Sequence, residues 1–350
     1  MKPKILFLYT ELAEYFLACV KALAAEHQAE VHIIRWPVNK EAPFKFEIPE
    51  NINLYEKQDY TREQLVSLCQ DIQPLLVFCS GWIDKDYLAV VRSFRKRIPV
   101  LVGMDNHWFG TAKQQIARLV APFTLQRLFT HAFVAGLPQQ KYARKLGFPE
   151  NKIVSGYYAA DVDLFRKAGK EVEALKEQNF PKRFIYVGRY IPQKGIDTMW
   201  EAFVQLQEEK PNEWELWCLG TGPLESNATK HPKIKHIGFV QPQEMRRYIQ
   251  EAGVFVLPSF YEPWGVVVHE FAAAGFPLLC SREVGAATAF LENGVNGYTF
   301  EAGNIPALKQ GMANIMNLPG KALYQMGQKS VELALQNTPS KWAAKLMALV

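Results

Sequence analysis

The sequence predicts an α/β protein built as two doubly wound, Rossmann-like halves. Strand-like apolar runs alternate with helix-like stretches nearly throughout, as in βαβ units with parallel sheets. The runs form two series, one between residues 5 and 135 and one between 184 and 279. At 350 residues the chain has the length of about two domains. A composition of 49% hydrophobic and 21% charged residues excludes a disordered or collagen-like chain.

Residues 5–9 read as the first strand. Two lysines precede them, Glu11 and Glu14 follow, and no small-residue cleavage site appears, so this start reads as a strand and not as a signal peptide. A helical pattern covers 12–25, and 31–35 is the next strand. Strands at 75–79, 100–102 and 132–135 continue the first series. The second series runs through 184–187, 216–219, 234–237, 254–257 and 277–279. Between them, 166–183 lacks a strand pattern and carries Lys167, Lys170, Glu171, Glu173, Lys176 and Glu177. It is expected to be a linker with a helical part. The expected domains are therefore 1–166 and 167–338, with a terminal helix at 339–350, opened by Pro339-Ser340, packing back on the first.

No apolar run approaches the length that spans a bilayer. The five cysteines are scattered, with no Cys-x-x-Cys pair, which points to a reducing cytoplasm without disulfide framework or zinc site. The formal net charge of +5 is uneven, because residues 92–145 hold ten basic side chains against Asp105 alone. Such an excess suits an anionic partner: phosphate, nucleic acid or a membrane surface. Within it, 113–133 mixes Lys113, Arg118 and Arg127 with Ile116, Leu119, Val120 and Phe123, a pattern for a basic amphipathic helix on anionic lipid. Pro122 would interrupt that helix, and packing onto the sheet is the competing reading.

The richest chemistry lies at 255–270. A buried strand ends at Pro258, a loop carries Glu262, and Gly265 opens a helix that holds Glu270 near its second turn. Ligands of open α/β sheets bind beyond the carboxyl ends of strands, so both carboxylates face that crevice. Ionised carboxylates accept pairs of hydrogen bonds from sugar hydroxyls, and amides of Gly265 and Val266 at a helix start suit phosphate. A second strand ends in Gly188, followed by Arg189 and Lys194, two cations suited to a diphosphate. A third element, Gly220-Thr-Gly222, has two glycines of a dinucleotide fingerprint and lacks the third. Asp84-Lys-Asp86 and Asp161-Val-Asp163 match Asp-x-Asp but read as a helix start and a turn.

Together, Gly188-Arg189 with Lys194-Gly195, Gly220-Thr221-Gly222, Gly238-Phe239-Val240, Gly294-x-x-Gly297 and above all Glu262-x7-Glu270 resemble the retaining GT-B glycosyltransferases, specifically glycosyltransferase family 4. The stretches 145–153 and 161–165 look like that family's approach to its interdomain linker. The resemblance implies two Rossmann-like domains facing across a cleft, the acceptor on the N-terminal side and a nucleotide-diphosphate sugar on the C-terminal side. It implies that Arg189 and Lys194 hold the diphosphate, Glu270 the ribose, Glu262 the donor sugar and Phe239–Val240 the base. Gly188, Gly222, Gly265 and Val266 would meet the donor through backbone. His107, beside Asp105 and Asn106, would face the donor sugar from the first half.

The implied activity is metal-independent, retaining transfer to a hydroxyl acceptor in polysaccharide, glycolipid or other glycoconjugate biosynthesis. No cofactor and no nucleic acid are implied, and the acceptor class includes lipid-linked sugars. The implied place is the cytoplasm, peripheral at the inner membrane face. Two features depart from the family. The loop after the first strand, Thr10–Tyr15, has no glycine, and the usual glycine pair and following acid appear as Gly285, Ala286 and Ala289. The alternatives are a sugar-nucleotide epimerase of the same fold and a non-catalytic nucleotide-sugar-binding protein. A nicotinamide dehydrogenase is disfavoured by the missing third glycine.

Overall fold

The computed structural model describes residues 2–37, 48–95 and 97–350. They form two compact units, Met1–Ala160 with Asn337–Val350, and Asp161–Gln336.

The first unit is a seven-stranded parallel sheet. Its strands are β1 (Lys4–Tyr9), β2 (Glu30–Arg35), β3 (Ile52–Glu56), β4 (Leu76–Cys79), β5 (Val100–Met104), β6 (His131–Val134) and β7 (Ile153–Ser155), in the order β3-β2-β1-β4-β5-β6-β7. Alternation along β1 sends Leu6 and Leu8 into one core and Ile5, Phe7 and Tyr9 into the other. Because both faces are covered, the central strands read as unbroken apolar runs. Each fully buried Leu, Ile or Phe contributes roughly 1.5–3 kcal/mol.

The helix Pro339–Met347 belongs to this unit, with Thr338 capping it by accepting from Lys341 N at 3.2 Å. Its Trp342 is fully buried, donates from Nε1 to the Tyr157 carbonyl at 2.8 Å and stacks on Phe7 at 5.9 Å. Trp342→Ala is expected to cost about 3–5 kcal/mol, read as a lower urea midpoint.

The second unit is a six-stranded parallel sheet. Its strands are β8 (Arg183–Val187), β9 (Glu215–Leu219), β10 (Ile234–Gly238), β11 (Val254–Leu257), β12 (Leu278–Ser281) and β13 (Gly297–Phe300), ordered β10-β9-β8-β11-β12-β13.

Three sequence expectations change here. The chain passes from the first unit to the second at Ala160–Asp161, and 166–183, whose expected helical part is present, belongs to the second unit and does not link the two. It contributes the helices Val162–Lys170 and Glu173–Gln178 to the second unit, with Gly169 packed so closely that a Cβ would lie 2.3 Å from the Ala274 carbonyl oxygen. Lys176, counted among the linker charges, is 5% exposed, with its ammonium 3.9 Å from the Phe276 ring centroid. Burial pushes its pKa down to about 7.

The basic stretch 113–133 is not one helix. The helix Ala112–Val120 stops before Pro122, a short 3-10 turn covers Ala121–Phe123, and a further turn covers Leu125–Leu128. Ala121, Leu125 and Phe129 enter the core, whereas Ile116, Leu119 and Phe123 stay exposed. Lys96, part of the basic 92–145 region, lies outside the described residues. No described helix is long and apolar enough to cross a membrane.

Candidate active site

In the second unit the chain moves outward from β8 through β9 to β10, then returns to the other side of β8 with β11 and continues to β12 and β13. Strand order therefore reverses between β8 and β11. In an open parallel sheet such a reversal leaves a crevice beyond the strands' carboxyl ends. The two loops that carry the candidate charges leave from these two strands.

Those loops are joined by backbone and side-chain hydrogen bonds. Phe260 N donates to the Gln193 carbonyl at 2.9 Å, and Gln193 Nε2 donates to the Tyr261 carbonyl at 3.0 Å. Gly195 packs against the end of β11, where a Cβ would lie 2.4 Å from the Pro258 carbonyl oxygen. Lys194 and Glu262 consequently meet, Nζ against Oε2, with side chains 17% and 12% exposed. An ion pair this sheltered is screened less than a surface pair.

The turn 283–286 braces the Glu262 loop from the other side. Glu262 N donates to the Glu283 carbonyl at 3.1 Å, Gly285 N to the Glu262 carbonyl at 3.0 Å, and Ala286 N to the Trp264 carbonyl at 2.8 Å. Gly265 then turns the chain into the helix Val266–Ala273 at φ 89° and ψ 69°, a left-handed conformation that disfavours a side chain. A Cβ there would also press on Glu262 Cγ at 2.9 Å.

Glu270 lies on the second turn of that helix. Burial, then the charge of Asp161, pushes its carboxyl up to about pKa 7. Asp161 itself caps the helix Val162–Lys170, accepting from Leu164 N at 3.1 Å. Asp84 likewise caps the helix Lys85–Phe94, accepting from Asp86 N at 2.9 Å and Tyr87 N at 3.1 Å. Both Asp-x-Asp matches thus begin with a helix cap.

At the carboxyl ends of β8, β9 and β10 three glycines stand side by side. Gly188 N donates to the Leu219 carbonyl at 3.0 Å, and Gly220 N to the Gly238 carbonyl at 2.8 Å. A Cβ on Gly220 would lie 1.9 Å from the Gly188 carbonyl oxygen, so only glycine fits. Gly222 instead makes room for the Tyr190 backbone, whose carbonyl oxygen would lie 2.6 Å from a Cβ. Arg189 is exposed, and its carbonyl accepts from Tyr186 Oη at 2.9 Å. Phe239 is 48% exposed just past β10, with Val240 half-buried beside it.

The structure brings Lys194, Glu262 and Gly265 to one spot and puts Arg189 on the same loop as Lys194. His107 lies in the first unit, on the loop after β5. Its carbonyl accepts from Gln114 Nε2 at 2.7 Å and its ring lies 6.0 Å from that of Phe109. Nearby, Asp105 accepts from Tyr158 Oη at 3.1 Å, and burial raises its carboxyl pKa. His131 and His269 are structural. His131 is 7% exposed beside Thr130 Oγ1 at 2.8 Å; His269 is fully buried, with Nε2 2.9 Å from the Ala334 carbonyl oxygen.

Residues 169–332 match the family model described as "Glycosyl transferases group 1". That match covers most of the second unit, Asp161–Gln336. The chain is 26% identical over 233 residues to the amylovoran biosynthesis glycosyltransferase AmsK of Erwinia amylovora, covering 61% of this chain and 53% of that one. It is 30% identical over 156 residues to a glycogen synthase of Mycobacterium tuberculosis, covering 43% and 37%. The chain thus spans about half or less of these curated relatives. Solved structures align along the whole chain. HepE of Anabaena, crystallised with UDP and glucose, matches with TM-score 0.69 at 16% identity over 99% of this chain and 100% of that one. Sucrose-phosphate synthase of Thermosynechococcus elongatus matches with TM-score 0.71 at 19% identity over 100% and 98%. The fold is therefore the two-domain α/β GT-B fold.

Several supports of the candidate site escape sequence reasoning. Gln193 joins the two loops, Tyr186 holds the Arg189 carbonyl, and Ser281 Oγ donates to the Ser259 carbonyl at 2.5 Å. Only the adjacency of Gln193 to Lys194 in the sequence could draw attention to the first.

Proposed function

We propose that the protein is a metal-independent, retaining glycosyltransferase that moves a sugar from a nucleoside-diphosphate sugar to a hydroxyl acceptor in polysaccharide or other glycoconjugate biosynthesis. The observation that carries this reading is the sheltered Lys194–Glu262 pair at the sheet's reversal point, on the loop that also holds Arg189. The group 1 match over 169–332 and the fold shared with a UDP-bound neighbour support it.

In this reading Arg189 and Lys194 bind the diphosphate and stabilise the charge that grows on it as the bond to the sugar breaks. Glu262 contacts the donor sugar, Glu270 accepts from the ribose hydroxyls, and Phe239–Val240 meet the base. Gly188, Gly222, Gly265 and Val266 offer close backbone approach, and His107 serves the sugar from the first unit. Positioning and preorganised charge then supply most of the rate.

Thermal melts with UDP-, GDP- and ADP-sugars test this reading, with one nucleotide series expected to raise Tm and to release its diphosphate when acceptor is added. No shift with any donor overturns the reading. Loss of turnover in EDTA with recovery in magnesium overturns its metal-free part.

Glu270 adds a pH signature. Its folded pKa of about 7 lies above the ordinary 4.5, so the protonated form stabilises the fold. That contribution is complete below pH 4.5 and fades as pH rises through about 7. Wild type is expected to lose more Tm between pH 5 and pH 8 than Glu270→Gln does. Donor affinity should run the other way, rising through the same window, because the ionised carboxylate is the better acceptor for ribose hydroxyls.

A further inference from the structure

The first unit carries an apolar face that its fold leaves in water. The helix Ala112–Val120 has no buried residue. Its attachment runs through Gln114, which bonds the His107 carbonyl and the Phe109 amide at 2.7 Å each, and through Ala117 against the core. The opposite side presents Ile116 at 61% exposure, Leu119 at 73% and Val120 at 44%, a set spaced i, i+3, i+4 along one helix face. Phe123, 69% exposed on the following turn, extends it. Contiguous exposed apolar surface of this kind marks an interaction site.

The charge along this stretch of sequence is of one sign. Lys113 and Arg127 are exposed beside the patch, and the Arg127 guanidinium lies 5.7 Å from the Phe123 ring centroid. No Asp or Glu occurs between Asn106 and Pro149. A second copy of the chain is a poor occupant, since a two-fold contact centred here would set these cations against themselves. A surface that is apolar within and anionic at its edge satisfies both features at once.

We infer that the face formed by Ile116, Leu119, Val120 and Phe123, flanked by Lys113 and Arg127, docks on an anionic lipid bilayer. The apolar side chains enter the boundary between headgroups and acyl chains, and the cations meet lipid phosphates. This contact is independent of the activity proposed above.

Co-sedimentation of the full chain with two kinds of vesicle tests it. One is pure phosphatidylcholine; the other contains about one-third phosphatidylglycerol. Binding is expected to the second kind alone and to fall as salt rises. Leu119→Glu and Phe123→Glu are each expected to lower the bound fraction about tenfold, with far-UV circular dichroism unchanged because both side chains stand in water. Leu175→Glu, at a residue 66% exposed in the second unit, should bind like wild type. Absence of binding, equal binding to both vesicles, or full binding by Leu119→Glu overturns the inference. So does a solution dimer that Leu119→Glu dissociates, which would make a second copy the occupant.

Discussion

Replacing Lys194 with alanine is expected to slow sugar transfer about a hundred- to a thousand-fold, with most of the loss in kcat. The magnitude is that of removing one preorganised group from the place where transition-state charge gathers. Two effects add at this residue. The departing diphosphate loses a cation, and Glu262 is left with its carboxylate sheltered and its ion-pair partner gone. Lys194→Arg keeps the charge but changes a compact ammonium for a planar fork, so it should recover only part of the rate. Steady-state release of nucleoside diphosphate at saturating donor measures all three proteins. A loss confined to KM, or smaller than tenfold, would reduce Lys194 to a brace for the Glu262 loop.

Gly220→Ala is expected to be among the most damaging single methyls in the second unit. The new Cβ would need the space 1.9 Å from the Gly188 carbonyl oxygen, and the residue sits at φ 138°. Backbone cannot rotate away as a flexible side chain can, so the ends of β8 and β9 have to separate. Overpacking and backbone strain together cost about 3 kcal/mol. Gly238→Ala is the internal comparison, since its Cβ would meet nothing within 4 Å and only its φ of 89° is unfavourable. Urea unfolding should therefore rank Gly220→Ala well below Gly238→Ala, and donor affinity should follow. Equal midpoints would show that β8 and β9 can part at little cost.

Most of the strands legible in the sequence are buried on both faces; β10, read at 234–237, is the exception, since it ends its sheet with Lys235 and His236 exposed. The apolar runs at 5–9, 100–102 and 254–257 fall on β1, β5 and β11, each covered on both sides. β3, β7 and β13 gave no such run, and each ends its sheet. An edge strand is short and partly wet, so its residues lack the signal. The site was legible as chemistry and not as contact. Glu262, Lys194 and Gly265 could be named from their types and order, but the Lys194–Glu262 pair depends on β8 lying beside β11. No local pattern fixes which strand a chain returns to. The burial of Lys176 is hidden from the sequence for a related reason, because a lysine among charged neighbours looks solvated until tertiary packing covers it.

The helix around Trp342 carries a consequence for biogenesis. During translation residues 161–336 emerge as one continuous stretch that holds every strand of its own sheet. The earlier sheet, though made first, lacks the indole that covers Phe7, Phe16 and Phe133 until 337–350 have left the ribosome. Nascent chains usually complete their domains from the N-terminus onward. In this chain the first unit is completed only after every residue of the second has been made, so its aromatic seam stays open to chaperones or to misassembly until 337–350 are in place.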